Sequence, residues 1–303
     1  FNAVNNLFGV GVSSAMSRNL GCKEYNQVRI CSAFGFYGAL ASGLLFSLPC
    51  TVFRTPLLAL LGTDAQTLDA TMGYMKWTVL CGALPAILNV VQSYMVRSEG
   101  SPLHASIGTM SGCLLNIVLD PIFILPWGLN MGAAGAGLAT FLSNCVACLY
   151  FVVLARFKKG NTFVCMDPRM LRKLTGKQVR NILGVGIPAS IQNLLNVPGS
   201  TLLNNFTAPF GAAAIAAMGI SQKLYMIPMQ VALGFSQGIM PLVSYTYASG
   251  NRKRMKAAIV FALRIIVASM LAITVVYCLG APAMIRAFMD STEIVDYGTR
   301  FLR

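Results

Sequence analysis

Acids, histidine and tryptophan are scarce in this 303-residue sequence, which holds nine Asp and Glu, one His and two Trp. An enzyme buried in a membrane would need clustered His or paired carboxylates within its spans. With His104 alone and scattered carboxylates that pattern is missing, so no enzyme is expected and no catalytic residue is assigned. Charge as a whole is low, at 11%, against roughly 25% in water-soluble domains. A soluble globular domain is therefore excluded. The nine cysteines are odd in number and fall mostly within apolar runs, so no disulfide framework follows. Cys145 and Cys148 have the spacing of a redox or zinc pair, but a structural zinc takes four ligands. They read as small packing residues, with no metal site and no organic cofactor.

Apolar residues make up 56% of the chain, and the mean hydropathy is +0.67. Uncharged runs extend over Ile30–Phe53, Trp77–Val96, Pro121–Ala155, Asn181–Gln222, Leu224–Asn251 and Ile265–Ile285. About 20 apolar residues cross the hydrocarbon layer as a helix, so the run Asn181–Gln222 must turn. Pro209-Phe-Gly211 is its break, since Pro and Gly end helices. Spans are expected over 1–17, 31–53, 77–96, 104–125, 131–155, 181–207, 212–246 and 257–280, with a ninth beginning near 293. The fold class is all-α, a polytopic membrane helix bundle. Both ends lie in apolar segments, which reads as a fragment not expected to function alone.

The net charge of +14 is an orientation signal, because cytoplasmic loops are enriched in Lys and Arg. Sixteen bases fall in alternate loops, at 18–29, 97–103, 156–180 and 250–256, while Arg54, Lys76, Arg286 and Arg300 lie opposite. The basic loops are expected to be cytoplasmic, the lipid bilayer is the partner, and no nucleic acid is called for.

A shift of 227 residues places Phe8 on Phe235, Gly11 on Gly238, Ser17 on Ser244, Arg29 on Lys256 and Phe34 on Phe261. After a one-residue slip, Pro56 falls on Pro282 and Asp64 on Asp290. Two pseudo-repeated lobes follow, an N-lobe over 1–156 and a C-lobe over 181–303, joined by the basic linker 157–180. The shift covers six helices, so both copies keep one orientation, an arrangement found in transporters.

Ionisable residues inside spans are costly and tend to be functional. Asp120 is the carboxylate well inside a span, in Leu115-Asn116-Ile-Val-Leu-Asp120-Pro121. Asn116 is one turn earlier on the same face, and Pro121 frees the carbonyl of Ile117 from its helical partner. Thr140 on the next span reaches a similar depth, about 13 Å against about 9 Å for Asp120 and about 15 Å for Asn116. Asp120, Asn116 and Thr140 are thus the candidate site for a small cation or a proton. In the second lobe Gln192, Asn193, Asn196, Lys223, Met226 and Gln230 are candidates for a substrate cavity, Met supplying adaptable apolar surface. Gly132-Ala-Ala-Gly-Ala-Gly-Leu-Ala-Thr140 has the look of a dinucleotide loop. It opens a span, so its small residues instead let helices approach closely.

Arg97-Ser-Glu-Gly100-Ser-Pro102, Leu115-Asn116-Ile-Val-Leu-Asp120-Pro-Ile-Phe-Ile124 and Gly132 to Thr140 together resemble the fifth and sixth spans of multidrug and toxic compound extrusion (MATE) transporters. Gly186-Ile-Pro188, Gly238-Ile-Met-Pro241-Leu-Val-Ser-Tyr245 and Gly250-Asn251 resemble the start of their second lobe. The Asp-Pro variant is similar to the bacterial multidrug branch. The resemblance implies a twelve-span architecture in two lobes, of which this chain would hold spans two to nine and the start of ten. It implies a monomer in the bacterial inner membrane that exports small organic cations in antiport with sodium or protons by alternating access. The family's first-lobe cation site maps onto Asn116, Asp120 and Thr140, completed by an Asp of the first span, which the sequence does not include. The acid some members carry in span seven has no counterpart here. A lipid-linked sugar or polysaccharide flippase of the same wider superfamily is the rival; it would need a basic cavity, and the bases within spans are few, Lys223 and Arg264.

Overall fold

The computed structural model describes residues 2–53, 68–125, 128–158, 162–286 and 292–302. Arg54, Pro56, Asp64, Pro126, Lys159 and Asp290, which entered the loop and repeat assignments, lie outside the described residues, as does the side chain of Asn204.

Every regular element among the described residues is helical. The helices are α1 (Asn2–Gly21), α2 (Tyr25–Val52), α3 (Leu68–Met75), α4 (Ala83–Ser98), α5 (Pro102–Ile124), α6 (Ala133–Phe157), α7 (Gly176–Thr207), α8 (Ala212–Ala248), α9 (Arg252–Arg286) and α10 (Thr292–Leu302). α3 runs through a π-helical stretch, Lys76–Cys81, into α4, and the pair is bent by 49°. Among the described residues, five helices are long and apolar enough to cross a membrane, or six if the bent pair is one span.

Four of these helices begin earlier than the uncharged runs suggest, α2 at Tyr25 and α9 at Arg252 among them, so the bases Arg252 to Lys256 lie in helix rather than loop. The expected span 77–96 is preceded by helix from Leu68, with Asp69 in its first turn and Lys76 opening the π-helical stretch. The helix expected at 181 begins at Gly176, with Lys177 and Arg180 in its opening turns. Charge absence marks the hydrocarbon-crossing part of a helix, whereas backbone hydrogen bonding sets where it starts. The break at Pro209-Phe-Gly211 is present, as a 3-10 turn at Ala208–Phe210 followed by Gly211 at φ 95°. That left-handed conformation suits glycine, which has no Cβ to clash.

The chain divides into two compact units, Phe1–Ile191 and Gln192–Arg303. In the first, Phe8, Val12 and Met16 of α1 are buried with Val28 of α2, Ile87, Val91 and Met95 of α4, Phe151 of α6 and Ile182 of α7. Small residues bring α1 and α7 together at backbone distance. A Cβ on Gly11 would stand 2.6 Å from the Ile182 carbonyl oxygen, and one on Gly186 would stand 2.1 Å from that of Leu7. One turn further, Ser190 Oγ donates to the Ala3 carbonyl at 2.6 Å. The pairs 3/190, 7/186 and 11/182 step four residues in opposite directions, the register of an antiparallel crossing.

The stretch after α6 is bound to this unit. Glu99 accepts from Thr162 Oγ1 at 2.8 Å and from the Phe163 N–H at 2.9 Å. Ser32 Oγ accepts from the Cys165 N–H at 3.0 Å, Tyr37 Oη donates to the Met166 carbonyl at 2.9 Å, and Phe163 stacks on Tyr25. Residues 162–166 therefore form a strap over α2, and the Glu99 of the Arg-Ser-Glu-Gly turn is its anchor.

In the second unit Ala217 and Leu224 of α8 pack on Ile285 of α9, and Tyr277 Oη donates to the Leu224 carbonyl at 2.8 Å. A Cβ on Gly298 would stand 2.5 Å from Ile285 Cδ1, so α10 also lies close.

Two substitutions test this packing. Gly186→Val should separate α1 from α7 and lower stability by about 1–3 kcal/mol, read as a drop in Tm. Glu99→Ala removes a charged acceptor from two donors, worth about 1.5–3 kcal/mol for each such bond, and should speed amide hydrogen exchange in residues 162–166. Unchanged exchange there would show that the strap is held by its other contacts.

Candidate functional site

The site is built from the spacing within α5. Leu103, Ile107, Met110, Leu114, Ile117 and Val118 form an exposed apolar stripe, of the kind that meets lipid. Gly108, Gly112, Asn116 and Asp120 recur every four residues and so share another face. That face packs on α6. A Cβ on Gly108 would stand 2.4 Å from the Phe151 ring, and one on Gly112 would stand 3.1 Å from both Ala147 Cβ and the Ser143 carbonyl oxygen. On the α6 side, a Cβ on Gly135 would stand 2.5 Å from the Phe123 carbonyl oxygen. The small residues of the Gly132–Thr140 segment thus serve helix packing.

Once the backbones are this close, polar groups on the same face meet. Asn116 Nδ2 lies 3.5 Å from Asp120 Oδ1 and 3.5 Å from Thr140 Oγ1. With the amide turned over, its nitrogen donates to Asp120 Oδ2 at 3.3 Å and its oxygen accepts from the Thr140 N–H at 3.3 Å. The second orientation gives each amide atom a suitable partner. Thr140 Oγ1 donates to the Ala136 carbonyl at 2.9 Å, which leaves its lone pairs open. The structure therefore brings together all three residues that the sequence singled out on these two helices.

Asp120 and Asn116 are half-buried. No base among the described residues lies within ion-pair distance of Asp120; the ion pair found among them is Arg300 with Asp296 at 2.9 Å, exposed on α10. A carboxylate, an amide oxygen and a hydroxyl form a hard oxygen donor set, suited to a small cation rather than to soft metals. The carboxylate can equally take a proton.

Two residues in this neighbourhood were not singled out by sequence. Asn144 Nδ2 donates to the Thr140 carbonyl at 2.9 Å, and Asn89 Nδ2 of α4 donates to Asn144 Oδ1 at 3.2 Å. The signal was available for Asn144, which follows Thr140 by one turn. For Asn89 it was not, since only the fold pairs α4 with α6.

The second-lobe candidates lie on two helices, Gln192, Asn193 and Asn196 on α7 and Lys223, Met226 and Gln230 on α8. Asn193 is half-buried and the others are exposed. Gln230 borders a groove of about 500 Å³ between α8 and α9, whose other walls include Val231, Phe235, Ile239 and Phe261. Lys223 and Met226 are outside that groove.

The MatE family profile matches residues 3–122 and 188–303. A multidrug export protein, MepA of Staphylococcus aureus (strain MSSA476), is 33% identical over 304 residues, covering 99% of this chain and 65% of that protein. The chain thus spans about 65% of the length of the curated relatives it matches. A MATE transporter crystallised in a straight conformation superposes with a TM-score of 0.91 at 26% identity, over 99% of this chain and 66% of the other. A MOP superfamily transporter from Pyrococcus furiosus, described by a binding pocket of reversed polarity that suggests a different function, gives 0.90 at 25% identity over 99% and 66%. These relatives are named as transporters and export proteins rather than enzymes. With the family match covering both units and the apolar helices fitting a multi-pass membrane protein, the chain belongs to the MatE family.

Proposed function

We propose that this chain is a large part of an ion-driven exporter of small organic cations, working by alternating access in the bacterial inner membrane. The observation that carries the reading is the contact of Asn116 with Asp120 and Thr140 inside a pair of closely packed membrane helices. An ionisable group at that depth is costly, and such groups mark ion pathways and proton relays. Sodium or a proton at Asp120 neutralises the carboxylate, and the neutral and charged forms favour different packings of α5 on α6. A coupling ion acts through such differential stabilisation of two states. The likeness to a protein named for multidrug export supports organic cations as the substrate.

On this reading the basic segments 18–29, 97–103, 156–180 and 250–256 face the cytoplasm, and Gln192, Asn193 and Asn196 of α7 with Lys223, Met226 and Gln230 of α8 contribute to substrate binding. The flippase reading requires a concentration of basic side chains around a pyrophosphate. Lys223 and Arg264 are the bases within α8 and the apolar body of α9, and each is exposed on its own helix, which favours cation export.

In vesicles carrying the intact protein, Asp120→Asn should reduce ion-driven export of an organic cation to the protein-free background while membrane insertion stays normal. Ion-dependent export by the Asp120→Asn variant would overturn the role of Asp120. Transport of a lipid-linked sugar with no ion-driven movement of organic cations by the wild type would establish the flippase reading instead.

A further inference from the structure

Within the first unit, polar side chains continue from the Asp120 cluster along α6 and α4 through otherwise apolar packing. Thr140, Asn144 and Cys148 occupy successive turns of one α6 face. Asn144 Nδ2 holds the Thr140 carbonyl, and its Oδ1 accepts from Asn89 Nδ2. One turn further toward the basic end, Cys148 Sγ donates to Gln92 Oε1 at 3.4 Å. Asn89 and Gln92 are buried, at 9% and 1% exposure. Each nevertheless keeps one amide atom without a partner, an acceptor at Asn89 Oδ1 and a donor at Gln92 Nε2.

An unsatisfied buried polar atom costs about 1–3 kcal/mol, and here two of opposite kind sit three residues apart on one helix. Residues at that spacing have Cβ atoms about 5–6 Å apart, so an open acceptor and an open donor share one face of α4. A water needs two or more polar partners to be stable in a protein interior, and this pair supplies both. Hydrogen bonds run from Asn116 through Thr140 and Asn144 to Asn89 and from Cys148 to Gln92, with the open atoms of Asn89 and Gln92 between the two segments. The eight residues from Thr140 to Cys148 advance about 12 Å along α6. The direction is toward Arg156 in its last turn, which is the basic side.

We propose that this buried ladder of Asn144, Asn89 and Gln92 is a water-bearing track along which the coupling ion passes between the Asp120 cluster and the basic face. The proposal rests on the ion-driven reading given above. The ladder's atoms are neutral amide oxygens and nitrogens, which ease a hydrated cation or a proton through without trapping it as a second carboxylate would. Asp120 holds the ion, and the amides govern how fast it arrives or leaves.

The test uses the intact protein in vesicles, with Asn89→Leu, Asn144→Leu and the polar replacement Asn144→Ser. Three quantities are read for each: affinity for the organic cation ethidium, the half-saturating ion concentration, and the maximal ion-driven export rate. The leucine variants should bind ethidium and half-saturate as the wild type does, while the maximal rate falls about 10–100-fold, the usual effect of removing a group that supports an ion site. Asn144→Ser should recover most of the rate. Wild-type rates in both leucine variants would overturn the track, as would a joint loss of ethidium affinity, rate and Tm, which marks a structural role. If the wild type exports and Asp120→Asn does not, while the leucine variants are unaffected, the track alone fails. A wild type with no ion-driven export removes the proposed function and the track with it.

Discussion

Hydrocarbon offers no partners to a polar group, so every such group in a span must be satisfied from within the protein. Asn116 shows how this constraint shapes the first unit. Its amide touches Asp120 one turn away on α5 and Thr140 across the helix pair, tying the carboxylate to α6. That contact depends on backbone approach, which Gly112 and Gly108 provide one and two turns earlier on the same face. A methyl group at Gly108 would run into the buried Phe151 ring at 2.4 Å, and one at Gly112 would press on Ala147 Cβ and the Ser143 carbonyl oxygen at 3.1 Å, so either crowds the α5–α6 contact.

The same device recurs in the packing of α1. Its contact with α7 is made at Gly11 and Gly186 and finished by the Ser190 hydroxyl on the Ala3 carbonyl. Small residues matter here because lipid is as apolar as leucine, so close packing and interhelical hydrogen bonds must replace the hydrophobic drive. The strap at 162–166 works by different means, since it leaves the helical framework and spends its backbone N–H groups on Glu99 and Ser32. Glu99 thus has a role in holding the connection between the membrane helices and the basic segment that follows.

Much of this was legible in the sequence. Uncharged runs located the helices, and the four-residue step from Asn116 to Asp120, matched in depth by Thr140, picked out side chains that do meet. The extension of α3 to Leu68 and of α7 to Gly176 was not legible, because charged residues at a helix start are indistinguishable from loop charges until backbone hydrogen bonds are known. Nor could Asn89 be found, since its partner Asn144 is 55 residues away and nothing local announces the pairing of α4 with α6. Glu99 lay within a recognised motif, but its acceptor role toward Thr162 and Phe163 depends on a chain reversal that spacing does not encode.

The central claim is that Asp120 is the group whose charge state changes when the coupling ion binds. Infrared difference spectroscopy on the intact protein, recorded as sodium is added or pH is stepped, reads this directly. The account predicts a carboxyl band that changes with the ion and disappears from the difference spectrum of the Asp120→Asn variant. An identical ion-induced spectrum in the wild type and the variant would contradict it.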